Sequence, residues 1–260
     1  MNKADWRLLG VLVAGGLLGV LGSAPFMLPL LRAAVEKIPG PLPLPLPLLF
    51  ALGLLQQAVL VAVLTGLGLM LARKIGLGAP LLEGWLTGHR PGPARGPTLR
   101  LSALLGAAVG IVLSLLLYFW LLPRLPQLPL ATAAGLPVWQ RIGACFGGMV
   151  EELLLRLFLM SLLAWLLGKV WRGTDGRPGS PAMWLANVVA AVLFGLGHLP
   201  SASLFLPITP LVVIAALLLN GLAGLVFGWL CWRRGIEAAM AAHFSCGVFV
   251  WVITPAFVSV

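Results

Sequence analysis

Charge is scarce in this chain. Asp, Glu, Lys and Arg make up 9% of its 260 residues, and only seven are acidic, whereas a soluble domain carries roughly 25% charged residues. With 60% hydrophobic residues and a mean hydropathy of +1.06, this excludes an ordinary soluble domain and leaves an integral membrane protein. Cysteine is nearly absent. Cys145, Cys231 and Cys246 each lie in an apolar stretch and no C-x-x-C pair exists, so neither a disulfide framework nor a cysteine metal site is indicated. Strand-like alternation is missing too. Backbone polar groups in lipid must be satisfied internally, so apolar spans without alternation are helices. There is no internal repeat and no separate soluble domain.

What the chain has in abundance is long apolar runs. Seven read as membrane spans, about 7–31, 47–72, 100–122, 138–167, 183–199, 209–232 and 236–257, each near the roughly 20 residues a spanning helix needs. The fold class is therefore all-α, a polytopic transmembrane helical bundle. The N-terminal run resembles a signal peptide, but its apolar character continues past Gly22-Ser23-Ala24, which favours an uncleaved span. Net charge is +10. Its basic residues gather in alternate short loops: Arg73 and Lys74, then Lys169 and Arg172, then Arg233 and Arg234. That pattern indicates orientation in a bilayer rather than nucleic-acid binding, and it places the N-terminus in the cytoplasm. Pro-Leu alternation over 39–48 predicts an extended polyproline connector. The loop 76–97 has an apolar first half, with Trp85, suited to the interface. Its His89, set among arginines, reads as solvated surface.

Against this background GGMVEELLLRLFL (147–159) stands out. Each ionisable group at the centre of a spanning helix costs about 2.5–3.5 kcal/mol on insertion scales. Glu152 and Arg156 are spaced i,i+4 and can pair on one helix face. Glu151 is rotated about 100° from that face and has no such partner. It reads as a carboxylate held for a purpose, of the type a general base requires. Two of the three histidines, His198 and His243, also sit in apolar surroundings on other spans. Either alone is more simply a hydrogen-bonded core residue, but three converging rarities favour a functional site. Asn220 is a further mid-span polar group, suited to an interhelical hydrogen bond. Gly195, Gly197, Gly221, Gly224 and Gly228 would permit close helix approach.

E-E-x-x-x-R at Glu151 to Arg156, F-x-x-x-H at Phe194 to His198, and the later His243 in GIEAAMAAH together resemble the CPBP family. These are the CAAX-prenyl-protease-2 and bacteriocin-processing (Abi) intramembrane proteases. The resemblance covers roughly 137–257, so 137–260 reads as a catalytic helical core and 1–136 as three N-terminal spans with a basic loop. It implies peptide-bond hydrolysis within the membrane, on a membrane-embedded protein or peptide, while the excess of Arg over Lys and the heavy use of Leu, Ala, Gly and Pro point to a bacterial plasma membrane. Glu151 would be the base, His198 its partner and His243 the oxyanion ligand, with Glu152 and Arg156 in support. Glu151, His198 and His243 would alternatively hold Zn²⁺. A metal-free mechanism, requiring no cofactor, is preferred because a zinc-bound Glu151 leaves no evident base. One departure stands out: where the family's last motif has Asn or Asp, this chain has Gly247, and Asn220 is the nearest substitute. The departure keeps a second reading open, a weak or inactive relative acting as an immunity or scaffold protein. Depth is a further expectation. Counted from the cytoplasmic span ends, His198 lies roughly 22 Å deep and His243 roughly 10 Å at 1.5 Å per residue, so tilt or a kink near Gly195 and Gly197 must bring them level.

Overall fold

The computed structural model describes residues 3–37, 40–41, 43–88, 95–125 and 130–256. Among these the chain is helical, with one isolated β-bridge between Arg172 and Pro178. Helix α1 is Lys3–Val35, α2 Leu46–Ile75 and the short α3 Pro80–Leu86. Helix α4 runs over Arg95–Leu115 and widens into a π-helical turn at Leu116–Leu121, and α5 is Leu130–Gly135. Helix α6 starts as Val138–Glu152, widens over Leu153–Met160 and resumes as Ser161–Leu167. Helix α7 is Ser180–Gly197 and α8 Leu199–Ser203. Helix α9 comprises Pro210–Ala216, a wide turn at Leu217–Gly221, and Leu222–Arg234. Helix α10 comprises Ile236–Gly247, a wide turn at Val248–Ile253 and a closing 3₁₀ turn.

Six of these helices are long and apolar enough to cross a membrane. The seventh expected span, 138–167, is helical throughout but interrupted by its wide turn, and it carries Arg141, Glu151, Glu152 and Arg156. The protein is thus an all-α polytopic bundle. Three sequence readings need correction. The proline-leucine segment is not extended over its whole length, because α2 begins at Leu46 and takes Pro47 into its first turn, where a missing N–H is harmless. Helix α7 is unbroken through Gly195 and Gly197, so no break there aligns His198 with the other site residues. It stops at His198 because Pro200 lies two residues ahead. Gly197 faces open space, whereas a Cβ on Gly195 would come within 3.0 Å of the Ala216 carbonyl oxygen of α9. His89 lies outside the described residues.

Glycine sets how closely the helices approach, as expected where apolar burial gives helices no preference for each other over lipid. A Cβ on Gly68 of α2 would lie 2.8 Å from the Leu157 backbone in the wide turn of α6. One on Gly19 of α1 would lie 3.0 Å from the Phe146 carbonyl oxygen. The first spans therefore pack directly on the helix bearing the acidic pair. At the helix ends α3 docks onto the start of α10: Glu237 Oε1 accepts from the Leu81 and Leu82 amides at 2.9 and 3.0 Å, and the Ile236 amide donates to the Gly78 carbonyl. Trp85 of α3 projects outward, as an interfacial helix requires.

The α4–α10 seam gives a direct test. A Cβ on Gly106 would come within 2.6 Å of the Ala242 backbone, while Gly53 of α2 has no neighbour within 4 Å. Gly106→Ala is expected to destabilise by about 1–3 kcal/mol through overpacking and Gly53→Ala to be neutral or mildly stabilising. Thermal unfolding in detergent decides: equal melting of the two variants would contradict this packing.

Candidate active site

Four helices bring the polar groups together. Helix α6 carries Glu151, Glu152 and Arg156, α7 ends on His198, and α10 carries His243 two turns from its start. The side wall comes from Phe227 of α9, stacked on the His243 ring at 4.7 Å between centroids. Gly148 of α6 is what lets His243 in, since a Cβ there would lie 2.7 Å from the imidazole Cδ2. The glycine pair opening GGMVEE therefore has a packing reason at its second member.

Glu152 and Arg156 have fully buried side chains, with Arg156 Nε 3.4 Å from Glu152 Oε2. The other carboxylate oxygen, Glu152 Oε1, lies 2.9 Å from His243 Nδ1. A carboxylate only accepts, so Nδ1 carries the proton. Phe194 places its ring 5.4 Å from the Arg156 guanidinium carbon and edge-on to His198 at 4.9 Å. Ser161 Oγ donates to the Arg156 carbonyl, five residues back, which closes the wide turn. Turns of this kind recur at functional sites because they re-aim the side chains around them.

Glu151 points elsewhere. Its side chain is 36% exposed, against 0% for Glu152. His243 Nε2 lies 3.4 Å from Glu151 Oε2, and His198 Nε2 lies 3.9 Å from Glu151 Oε1. His198 Nδ1 donates to the Phe194 carbonyl at 2.9 Å. That bond fixes its tautomer, because a carbonyl accepts only, and it leaves Nε2 turned to Glu151. Each histidine therefore spends one ring nitrogen on the scaffold and presents the other to an opposite oxygen of one half-exposed carboxylate. An acid flanked by two imidazoles at these separations can hold a water molecule between its members.

Asn220 is not part of this group. Its Nδ2 donates to Ala216, one turn back in its own helix, at 3.2 Å. Zn²⁺ held by Glu151, His198 and His243 would need both Nε2 atoms and a carboxylate oxygen to converge on one point. No group of three or more His, Cys, Asp or Glu among the described residues converges in that way. Gly247, the departure from the family motif, faces α6: a Cβ there would sit 3.2 Å from Cys145 Sγ and 3.3 Å from Cys145 Cα. A side chain at 247 would require Cys145 to give way by a few tenths of an ångström. Sequence reasoning did not single out Phe227, Gly148, Glu237 or Arg141. Only Arg141 carried a signal, as a fourth charge in the same apolar run.

Among known families, residues 133–249 match the Rce1-like model, described as type II CAAX prenyl endopeptidase. No curated protein and no solved structure matches the chain.

Two substitutions test the packing of the site. Glu152→Ala leaves a wholly buried guanidinium without its counter-ion, and is expected to cost about 3–5 kcal/mol and to deplete folded protein in membranes. Gly247→Asn is expected to lower thermal stability, and adding Cys145→Ala to restore part of the loss. Full stability of the single Gly247→Asn variant would show that the α6–α10 seam is looser than described.

Proposed function

Residues 133–249 carry an Rce1-like domain of the type II CAAX prenyl endopeptidase family, and from that premise we propose that the protein is an intramembrane endopeptidase that hydrolyses peptide bonds with a water activated by Glu151 and His198. The observation that carries the reading is the pair of imidazole Nε2 atoms turned toward opposite oxygens of Glu151, 3.9 and 3.4 Å away. The water donates one hydrogen to the Glu151 carboxylate and the other to His198 Nε2, which is free to accept because Nδ1–H is held by Phe194. Glu151 takes the proton as the oxygen attacks the scissile carbonyl. The resulting oxyanion is met by His243 in its doubly protonated form, with Nδ1–H on Glu152 and Nε2–H on the substrate oxygen. Glu151 then returns its proton to the departing amine, so one water is consumed and one acid and one amine are released. No metal takes part in these steps.

Glu152 and Arg156 act on His243 and the helix, not on the substrate. The substrate is a membrane-embedded protein or peptide, since the groups lie among apolar spans. We place the protein in a bacterial plasma membrane with its N-terminus cytoplasmic, in keeping with the basic loops.

Reconstituted protein and a panel of apolar membrane peptides test this directly. Glu151→Gln is expected to lower the rate by about 10²–10⁴-fold, the usual size of a lost general base, with unchanged thermal unfolding. His198→Ala is expected to act in the same direction. Incubation with 1,10-phenanthroline is expected to leave the rate unchanged. Equal cleavage by Glu151→Gln and the parent would remove the base assignment, and loss of activity with the chelator, restored by Zn²⁺, would overturn the metal-free step.

A further inference from the structure

At the end of the bundle where α1 begins, the carboxylates are all occupied and several arginines are not. Asp5 and Glu83 both pair with Arg73, each at 2.9 Å. Asp175 accepts from the Arg177 main-chain amide at 3.1 Å, and Glu237 accepts from the Leu81 and Leu82 amides. Among the described residues no carboxylate forms an ion pair with Arg177, Arg233 or Arg234. These three come from separate stretches of chain, the α6–α7 connection and the last turn of α9. They nevertheless line one open cavity of about 520 Å³, together with Arg73, Gly76 and Trp232.

Basic residues at a helix C-terminus have an ordinary role, because that end carries roughly half a negative charge. This accounts in part for Arg233 and Arg234 on α9, and Arg234 Nη1 also donates to Thr98 Oγ1 at 3.3 Å. It does not account for Arg177. The end of α2 that Arg177 covers is already closed by its own amides: Gly76 N–H donates to the Arg73 carbonyl at 3.4 Å and Leu77 N–H to the Ala72 carbonyl at 2.9 Å. The Arg177 guanidinium rests on bare backbone instead, since a Cβ on Gly76 would sit 2.5 Å from its Nη1. Among the described residues this guanidinium makes no hydrogen bond. Charges that only orient a chain in a bilayer have no need to converge. Guanidinium groups gathered at one cavity repel each other, and an anion between them removes the repulsion.

The surroundings of the cavity indicate the class of anion. Trp232 stands edge-on to Trp184 at 5.8 Å and carries the Arg233 guanidinium over its ring at 4.2 Å. At the same end Trp165 takes Lys74 and Lys169 against its ring, at 5.2 and 4.1 Å. Indoles at span ends mark the headgroup layer of a bilayer. A cavity at that level, walled by forked N–H donors, suits a phosphate ester, whose oxygens take hydrogen bonds from several arginines at once.

We propose that Arg177, Arg233 and Arg234 form a binding site for a phosphate ester at this membrane surface, supplied as the headgroup of an anionic phospholipid or as a soluble ester of the same chemistry. Arg73 stands beside them, held by its two carboxylates. Gly235, the residue before α10, lines the same cavity, so the bound phosphate stands at the foot of the helix that carries His243. The site does not depend on the endopeptidase reading.

Native mass spectrometry of the whole chain in a neutral detergent tests it, with titrations of phosphatidylglycerol, phosphatidylcholine and glycerol phosphate. Phosphatidylglycerol is expected to bind roughly tenfold or more tightly than phosphatidylcholine, as for a charge-assisted hydrogen bond. Arg177→Gln and Arg233→Gln are each expected to remove most of this preference, and Arg177→Lys to keep part of it. Lys169→Gln, which removes a cation of the same end outside the cavity, is expected to leave it intact. Competition by glycerol phosphate assigns the site to soluble esters, and its absence assigns it to the lipid headgroup. No preference for phosphatidylglycerol together with no binding of glycerol phosphate overturns the inference. So does a preference that survives both Arg177→Gln and Arg233→Gln, or one that Lys169→Gln reduces equally, since either result leaves only general surface charge. Thermal unfolding of the lipid-free variants is expected to match the parent, because none of these arginines loses a carboxylate partner.

Discussion

The structure depends on one buried carboxylate with two obligations. Glu152 gives one oxygen to Arg156 and the other to His243 Nδ1, and none of its side chain is exposed. An isolated carboxylate or guanidinium among apolar spans would be prohibitively costly, so the two charges are tolerable only together. Their mutual dependence ties α6 to α10 at a fixed height and rotation. It also decides the chemistry at the neighbouring position. With Nδ1 of His243 committed to Glu152, the Nε2 side of the ring must face Glu151. The second glutamate of the pair thereby sets the protonation pattern around the first, although it does not face the open side itself.

Packing from elsewhere in the bundle reaches the site through small residues and wide turns. Gly68 admits the α6 backbone at Leu157, Gly148 admits the His243 ring, and Gly195 admits the backbone of α9. These approaches leave no slack, because each replaces a side chain with a neighbouring backbone or ring. The wide turn over Leu153–Met160 follows directly on Glu152. It lets the acidic pair face α7 and α10 while the next turns face α2. Glu237 extends the connection outward: it holds α3 to the beginning of the helix that carries His243. The interfacial segment and the membrane-embedded imidazole are thus parts of one mechanical unit.

Much of this was legible in the sequence. Apolar runs with basic loops fixed the class, and Glu152 and Arg156 were recognisable by i,i+4 spacing as a buried pair. Glu151, His198 and His243 were recognisable because ionisable groups in lipid are rare. Other features were hidden for physical reasons. Where a π-turn falls depends on contacts made across the bundle, so no local pattern announced those in α4, α6, α9 and α10. The Pro-Leu segment misled because its second half obeys helix-entry rules as well as polyproline ones, and Pro47 is admissible in the first turn of α2. Gly195 and Gly197 look alike in sequence, yet only one meets a neighbouring helix. Asn220 could have reached across to another helix, but it bonds to its own, a choice no spacing rule predicts.

Gly247 shows how a departure from a family pattern becomes intelligible once the packing is known. A polar side chain at that position would add a donor near the reacting carbonyl, and losing one such donor typically costs about 10²–10³ in kcat. In this chain the space is taken by Cys145, whose sulfur and backbone lie against the glycine. That approach is one turn of α6 below Gly148, where His243 is seated. The same close seam that leaves out the extra donor seats the imidazole between Glu152 and Phe227. Under the proposed mechanism oxyanion stabilisation falls to His243 alone, in a ring held by a carboxylate on one side and an aromatic face on the other. Preorganisation of a single donor then has to do what two donors would otherwise share, which makes the tightness of the α6–α10 contact a catalytic property as well as a structural one.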